Sequence, residues 1–221
     1  MGSEDRFHKR KAKSKRDLAR KRARRAPYDR VLIVCEGSKT EPKYLGELIA
    51  CLKLNSANVE VDGSCDSSPI SVVKYAKQKY LEDKRTGDAF DQVFCVFDKD
   101  SHASYEQALS EISNAKPKNV FHAINSVPCF EYWILLHFKF TTKQWESSGG
   151  KSPCENLIKD LKEYLPNYFK GEPGLYRKFM DKMEPAITYS KKALLQAKEG
   201  QTDHPTTKIH ALVEYLQKLK S

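Results

Sequence analysis

The stretch VLIVCEGSKTE (31–41) decides how this chain is read. Its first five residues are apolar without polar alternation, the pattern of a strand covered on both faces. The run, counted from Arg30, stops at Glu36-Gly37. Glu41–Leu54 then places Tyr44, Leu45, Leu48, Ile49 and Leu52 on one helical stripe. Gln92–Phe97 repeats the strand pattern and stops at Asp98. Working outward, Asn58–Val61 is a short strand closed by Asp62-Gly63, and Ser68-Pro69 opens a helix to about Asp83. Tyr105–Ala115 reads as helix, Asn119–Ile124 as extended chain and Phe130–Phe138 as helix. The order βαβαβαβα predicts an α/β fold, a mainly parallel sheet with helices on both faces. Sites in such sheets form beyond the carboxyl ends of the strands, so the residues after Cys35 and Phe97 are the first place to look.

After Phe140 the texture changes. Ser147-Ser148-Gly149-Gly150 is a break, and Glu155–Leu165, Ala186–Lys198 and Ile209–Leu219 read as helices with no strand-like run among them. The expected organisation is a basic N-terminal arm (1–27), an α/β core (28–140) and a helical C-terminal extension packed on that core (141–221). No apolar run approaches the roughly 20 residues that span a bilayer, and the N-terminus has no apolar signal core, so neither a membrane nor secretion is expected. Six cysteines (35, 51, 65, 95, 129 and 154) form no CxxC pair. A disulfide framework or a cysteine zinc site is therefore not expected, and a reducing cytoplasm is.

Charge is unevenly spread. Residues 1–30 hold 13 Lys/Arg against 4 Asp/Glu, whereas the remainder holds 26 against 25. Arg10, Lys11, Arg20, Lys21, Arg22, Arg24 and Arg25 can neutralise phosphates and release their counterions, which points to nucleic acid. A solvated tail is the other reading of the arm. No GxxxxGK[ST] or GxGxxG motif is present, which argues against an ATPase or a dinucleotide enzyme. No Ser-His-Asp or Cys-His order stands out.

Glu36 ends the first strand, and Asp98-Lys99-Asp100 end the third. If those strands neighbour each other, Glu36, Asp98 and Asp100 converge, and like charges so placed call for a cation. Hard oxygen ligands select Mg²⁺ or Mn²⁺, whose usual partner is phosphate. The plainer reading is that acidic residues cap helices here, with Ser38-Lys39-Thr40-Glu41 an S-x-x-E capping box.

EGSKTEPKYL (36–45) with VFDKD (96–100) resembles the Toprim domain, and specifically the RloB-like family. INSVPCFEYWILLHF (124–138) and HPTTKIHALVEYL (204–216) are similar to that family's other blocks, so the resemblance covers roughly residues 28–216. It implies a Toprim Rossmann-like fold in which Glu36, Asp98 and Asp100 hold Mg²⁺ (or Mn²⁺). It also implies kinship with the overcoming-lysogenization-defect nucleases, which use two metals. The function so implied is a metal-dependent nuclease cutting DNA or RNA in bacterial antiphage defence, working with an ATPase partner. The alternative is a non-catalytic nucleic-acid-binding or nucleotide-sensing module that regulates such an ATPase. Homo-oligomerisation is left open. Glu36 and Glu41 stand five apart, where the related nucleases usually space them by four, so Glu41 carries over less directly.

Glu41 and Glu131 are the candidates for a second cation or a general base, Glu131 because it opens an otherwise apolar helix within an FExW block. Lys39, between the two glutamates, is a candidate phosphate contact, as is Lys208 after the candidate N-caps Thr206 and Thr207. His102 reads more simply as a loop residue, His137 as a core or surface histidine, and Lys99 as pointing away from its Asp neighbours. Tyr164, Tyr168, Tyr176 and Tyr189 sit among lysines, a mixture that stacks bases or covers a core.

Overall fold

The computed structural model describes residues 6, 8, 13, 17–20, 23–100 and 102–220. Five strands, β1 (Val31–Cys35), β2 (Val59–Asp62), β3 (Gln92–Asp98), β4 (Phe121–Val127) and β5 (Thr206–Thr207), form one sheet in the order β2-β1-β3-β4-β5. The first four run parallel and β5 pairs antiparallel to the end of β4. The Rossmann-like α/β expectation holds. Both faces are covered, and side-chain alternation sorts the core into two layers. Val31, Ile33, Phe94, Val96 and Ile124 face one way, with α1 (Thr40–Cys51) and α8 (Ile209–Lys218). Leu32, Val34, Val93, Cys95 and Phe97 face the other, with α2 (Pro69–Arg85) and α3 (Tyr105–Ser113). Ser68 caps α2 as the sequence suggests, its side chain accepting from Ser71 N–H at 3.3 Å, with Pro69 at the first helical position.

Three expectations need correction. β4 continues past Ile124 to Val127, because Asn125 and Ser126, polar by type, are buried and their backbones complete the ladder with Phe97 and Asp98. The C-terminal extension is not purely helical: Thr206 and Thr207 are strand rather than N-cap, pairing with Val127 and Ser126, and Lys208 takes the N-cap position of α8. A two-residue strand of threonines has no apolar pattern to announce it. Thirdly, Cys129 and Cys154 are joined in a disulfide although nothing in their spacing pairs them.

Beyond β4 the chain forms α4 (Glu131–Leu135), α5 (Pro153–Leu161), α6 (Leu175–Phe179), a 3₁₀ turn (Met180–Lys182) and α7 (Met183–Glu199). None of the helices among the described residues is long and apolar enough to cross a membrane. The extension shares one continuous apolar cluster with the sheet, in which Leu157, Leu161, Phe179 and Ala186 join Tyr44, Phe130 and Trp133. At its centre the fully buried Trp133 donates its indole N–H to the Tyr44 hydroxyl at 2.9 Å, tying α4 to α1. Tyr44→Phe leaves that donor buried and unpaired, so it should cost about 1–3 kcal/mol. Urea unfolding would read this as a lower midpoint with an unchanged slope; an unchanged midpoint would show that the bond contributes no net stability.

Candidate active site

Parallel pairing of β1 with β3, Cys35 opposite Val96, delivers Glu36 and Asp98 to the same carboxyl edge. The Glu36 N–H donates to the Val96 carbonyl at 2.9 Å, and the Asp98 N–H donates to the Glu36 carboxylate at 3.1 Å. Asp100 follows with its N–H on the Pro128 carbonyl, 2.9 Å away. Its φ of +28° is one that a non-glycine residue holds only when its surroundings impose it. Asp100 Oδ1 is buried and has no hydrogen-bond partner.

Glu41 does not serve the capping box. α1 starts at Thr40, Lys39 is its N-cap, and no side chain caps it. Glu41 is instead buried within electrostatic reach of Glu131 and Glu36. Glu131, opening α4, is 1% exposed, accepts from the Tyr168 hydroxyl at 2.8 Å and lies 3.5 Å from Cys154 Sγ.

The acids strain one another. Removal from water, then Glu41, Glu131 and Glu36, hold the Asp98 carboxyl well above the usual carboxylate range. Burial, then Glu131, push Glu41 up to about 8. Burial also raises Glu36, against the opposing pull of the Asp98 N–H, His102 and Lys170.

Sequence reasoning missed Lys170, the lysine that answers this charge. Its Nζ lies 3.7 Å from Glu131 Oε1. Partial burial works against its charge, yet Glu131, Asp98, Glu41 and Asp100 outweigh that and hold the ammonium above its ordinary range. The loop carrying it is pinned to the start of α1: Gly171 N–H donates to Thr40 Oγ1 at 3.0 Å, and Lys43 Nζ donates to the Gly171 carbonyl at 2.8 Å. Gly171 has φ +81°, and a Cβ there would lie 3.1 Å from Lys39 Cβ, so glycine is required at this close approach. His102, read as a loop residue, sits with Nε2 3.1 Å from Glu36 Oε1.

The remaining candidates disperse. Lys39 is exposed at the head of α1. Lys208 is half-buried beside Phe94, Ile124 and Tyr215, on the α8 side of the sheet, and removal from water lowers its pKa. Arg25 is committed to Asp88 through a two-pronged ion pair, one contact of which is 2.7 Å. Arg20 and Arg24 are exposed, while Arg10, Lys11, Lys21 and Arg22 lie outside the described residues. Lys99 points away, to Asp203 at 2.6 Å. His137 is a core residue, bonded through Nδ1 to the Trp133 carbonyl, and burial lowers its pKa to about 4.

An all-carboxylate donor set suits a hard divalent cation such as Mg²⁺ or Mn²⁺. The unpartnered Asp100 oxygen and the mutual repulsion of the acids are both relieved by such an ion, so the residues fit one. Among the described residues, the group of three ligand-type atoms within 4.8 Å of one another is Cys129, Glu131 and Cys154. Its sulfurs are bonded to each other, so it offers no thiolates. The carboxylates are thus gathered without being closed into a three-carboxylate shell, which leaves ligand positions to water and phosphate oxygen.

Fold and site define an α/β protein with an acidic cluster at the carboxyl edge of a parallel sheet. The chain belongs to the RloB-like protein family, whose match covers residues 31–216. Searches of curated proteins and of solved structures find no match.

Glu41 gives the site a pH signature. Between its ordinary value of 4.5 and about 8 the folded state holds a proton that the unfolded state releases. That contribution to stability is complete below 4.5 and is lost as pH rises through about 8. Glu41→Gln removes the loss. In metal-free buffer the variant's melting temperature should therefore climb relative to wild type from about pH 5 to about pH 8, then level off. A pH-independent difference would place Glu41 outside the coupled cluster.

Proposed function

We propose that this chain is a Toprim-type nuclease that hydrolyses phosphodiester bonds of DNA or RNA with Mg²⁺ (or Mn²⁺), acting in bacterial antiphage defence beside an ATPase partner. The observation that carries this reading is the gathering of Glu36, Glu41, Asp98, Asp100 and Glu131 at one sheet edge, in mutual electrostatic contact and with Lys170 as counter-cation. Glu36, Asp98 and Asp100 would hold the metal, with Glu41 and Glu131 available for a second ion or as base. Bound Mg²⁺ polarises a phosphate and lowers the pKa of an attacking water. The chain's own part is to position. Tyr168 fixes Glu131, the pinned 170–171 loop fixes Lys170, and the Lys170 ammonium, beside Glu131 and Cys154, would be the cation available to a phosphate at the cluster. His102, in contact with Glu36 and about a third exposed, would be the group placed to move a proton between the cluster and solvent.

A second reading has one observation on its side: among the described residues, no three of the carboxylates come within 4.8 Å of one another. That is compatible with a non-catalytic nucleic-acid-binding or nucleotide-sensing module regulating an ATPase. Cleavage separates the two. Pure protein incubated with plasmid, single-stranded DNA and tRNA should cut at least one of them with Mg²⁺ or Mn²⁺ and none with EDTA. Asp98→Asn should lower the rate by about 100-fold or more while the variant stays folded. Calorimetric titration with Mn²⁺ tests the site independently of any activator. Wild-type affinity in both Asp98→Asn and Asp100→Asn would remove the metal from this site and with it the nuclease.

The basic arm makes a separable contribution. Residues 1–23 hold 10 Lys/Arg against 3 Asp/Glu. From Arg24 onward the chain is tied to the body, for instance through Asn55 Nδ2 to the Arg24 carbonyl and Ala26 N–H to Asn58 Oδ1 at 2.9 Å. Deleting 1–23 should leave the fold and Mn²⁺ affinity intact. If the arm neutralises about 4 to 6 phosphates, its removal should lower the slope of log K against log salt on duplex DNA by roughly 4 to 5. An unchanged slope would make the arm a solvated tail.

A further inference from the structure

A strip of aromatic rings and lysines crosses the C-terminal lobe where α4 ends. Phe138 and Tyr164 stack, with centroids 5.4 Å apart and planes at 29°. Phe140 leans on Tyr189 at 5.7 Å. Three rings of the strip each carry a lysine: Lys182 Nζ lies 4.8 Å from the Phe138 centroid, Lys139 5.2 Å from Tyr164, and Lys192 4.4 Å from Phe140. These lysines make no ion pair among the described residues. Neighbouring Lys143, by contrast, is neutralised by Asp160 at 2.5 Å. Tyr164 is 38% exposed, and Phe138 and Phe140 are part-exposed at the rim of the core.

We propose that this strip binds the unpaired bases of a single-stranded nucleic acid, the rings stacking bases and Lys139, Lys182 and Lys192 holding the adjoining phosphates. The argument rests on charge and shape together. An exposed lysine over a ring gains only about 0.5–1 kcal/mol, so an arriving base displaces it cheaply. The freed ammonium then meets a phosphate. Base–aromatic stacking contributes about 1–3 kcal/mol per base and tolerates any sequence. An apolar protein partner would leave the exposed Lys182 and Lys192 without compensation in the contact, and a duplex keeps its base faces covered, so neither satisfies rings and lysines at once. The strip starts at Phe138, seven residues after Glu131 and past the end of α4 at Leu135. The inference rests on the nucleic-acid reading above and names the substrate form.

The test measures binding in EDTA, so it does not depend on cleavage. The probes are a fluorescein-labelled single strand of about 12 nucleotides, as DNA and as RNA, and a hairpin duplex of matched length. Phe138→Leu/Phe140→Leu keeps the positions apolar while removing the π faces. Single-strand affinity should fall about tenfold or more, with duplex affinity within about twofold of wild type. Lys182→Ala/Lys192→Ala should weaken single-strand binding and flatten its salt dependence. Unchanged single-strand binding in the ring variant overturns the proposal, as does an equal loss on the duplex, which would mark a general basic patch. Tyr164→Leu, at an exposed position, gives the same reading if the double variant fails to fold. A chain that cuts nothing yet loses single-strand binding in these variants would sink the nuclease and keep the strip.

Discussion

Repulsion among carboxylates gathered at one edge of a parallel sheet is the constraint around which this molecule is arranged. The ladder forces it: β1 and β3 pair so that Glu36 donates to and accepts from the neighbouring strand, and Asp98 cannot leave its place without breaking that register. Glu41 and Glu131 are brought in by the helices that follow, and burial leaves little water to screen them. A protein built for stability alone would not concentrate acids this way. Such local conflict with otherwise consistent folding rules is the mark of a site under functional demand.

The C-terminal extension answers that constraint. It supplies Lys170 to offset charge, Tyr168 to fix Glu131 and β5 to clamp the end of β4, where Ser126 meets Thr207 through their hydroxyls at 2.9 Å. Cys129 and Cys154 bind the turn before α4 to the first turn of α5, beside Glu131. These contacts share the apolar cluster that surrounds Trp133 and Tyr44, so site and extension are parts of one packed unit.

What the sequence made legible was local or strictly periodic. The unbroken apolar runs of β1 and β3 announced buried parallel strands, and their last residues announced Glu36, Asp98 and Asp100. α2 was legible because Ser68-Pro69 is a cap with a mechanism. The rest depended on contacts between distant residues. Lys170 sits in a loop with no pattern of its own, and its role exists only because Gly171 docks on Thr40, 131 positions away. β5 is two threonines, too short to carry a period. Glu41 shows the limit most clearly: its S-x-x-E context is a real helix-start signal, yet the helix begins elsewhere and the carboxylate turns to the cluster.

That outcome bears on how charge and chemistry are divided in this chain. Net charge sits almost wholly in the first 30 residues, while the body is close to neutral. A neutral body can hold a dense acidic site only if the cations that balance it are placed with equal care. Lys170 stands against the carboxylates, whereas Lys139, Lys182 and Lys192 are set apart over aromatic rings. A polyanion approaching bare acids would be repelled. On the proposed reading, the lysines over aromatic rings and the basic N-terminal residues would offset the charge of such a ligand. On the nucleic-acid reading proposed above, the separation of cations from carboxylates would let an acidic edge and a phosphate-bearing ligand occupy the same molecule.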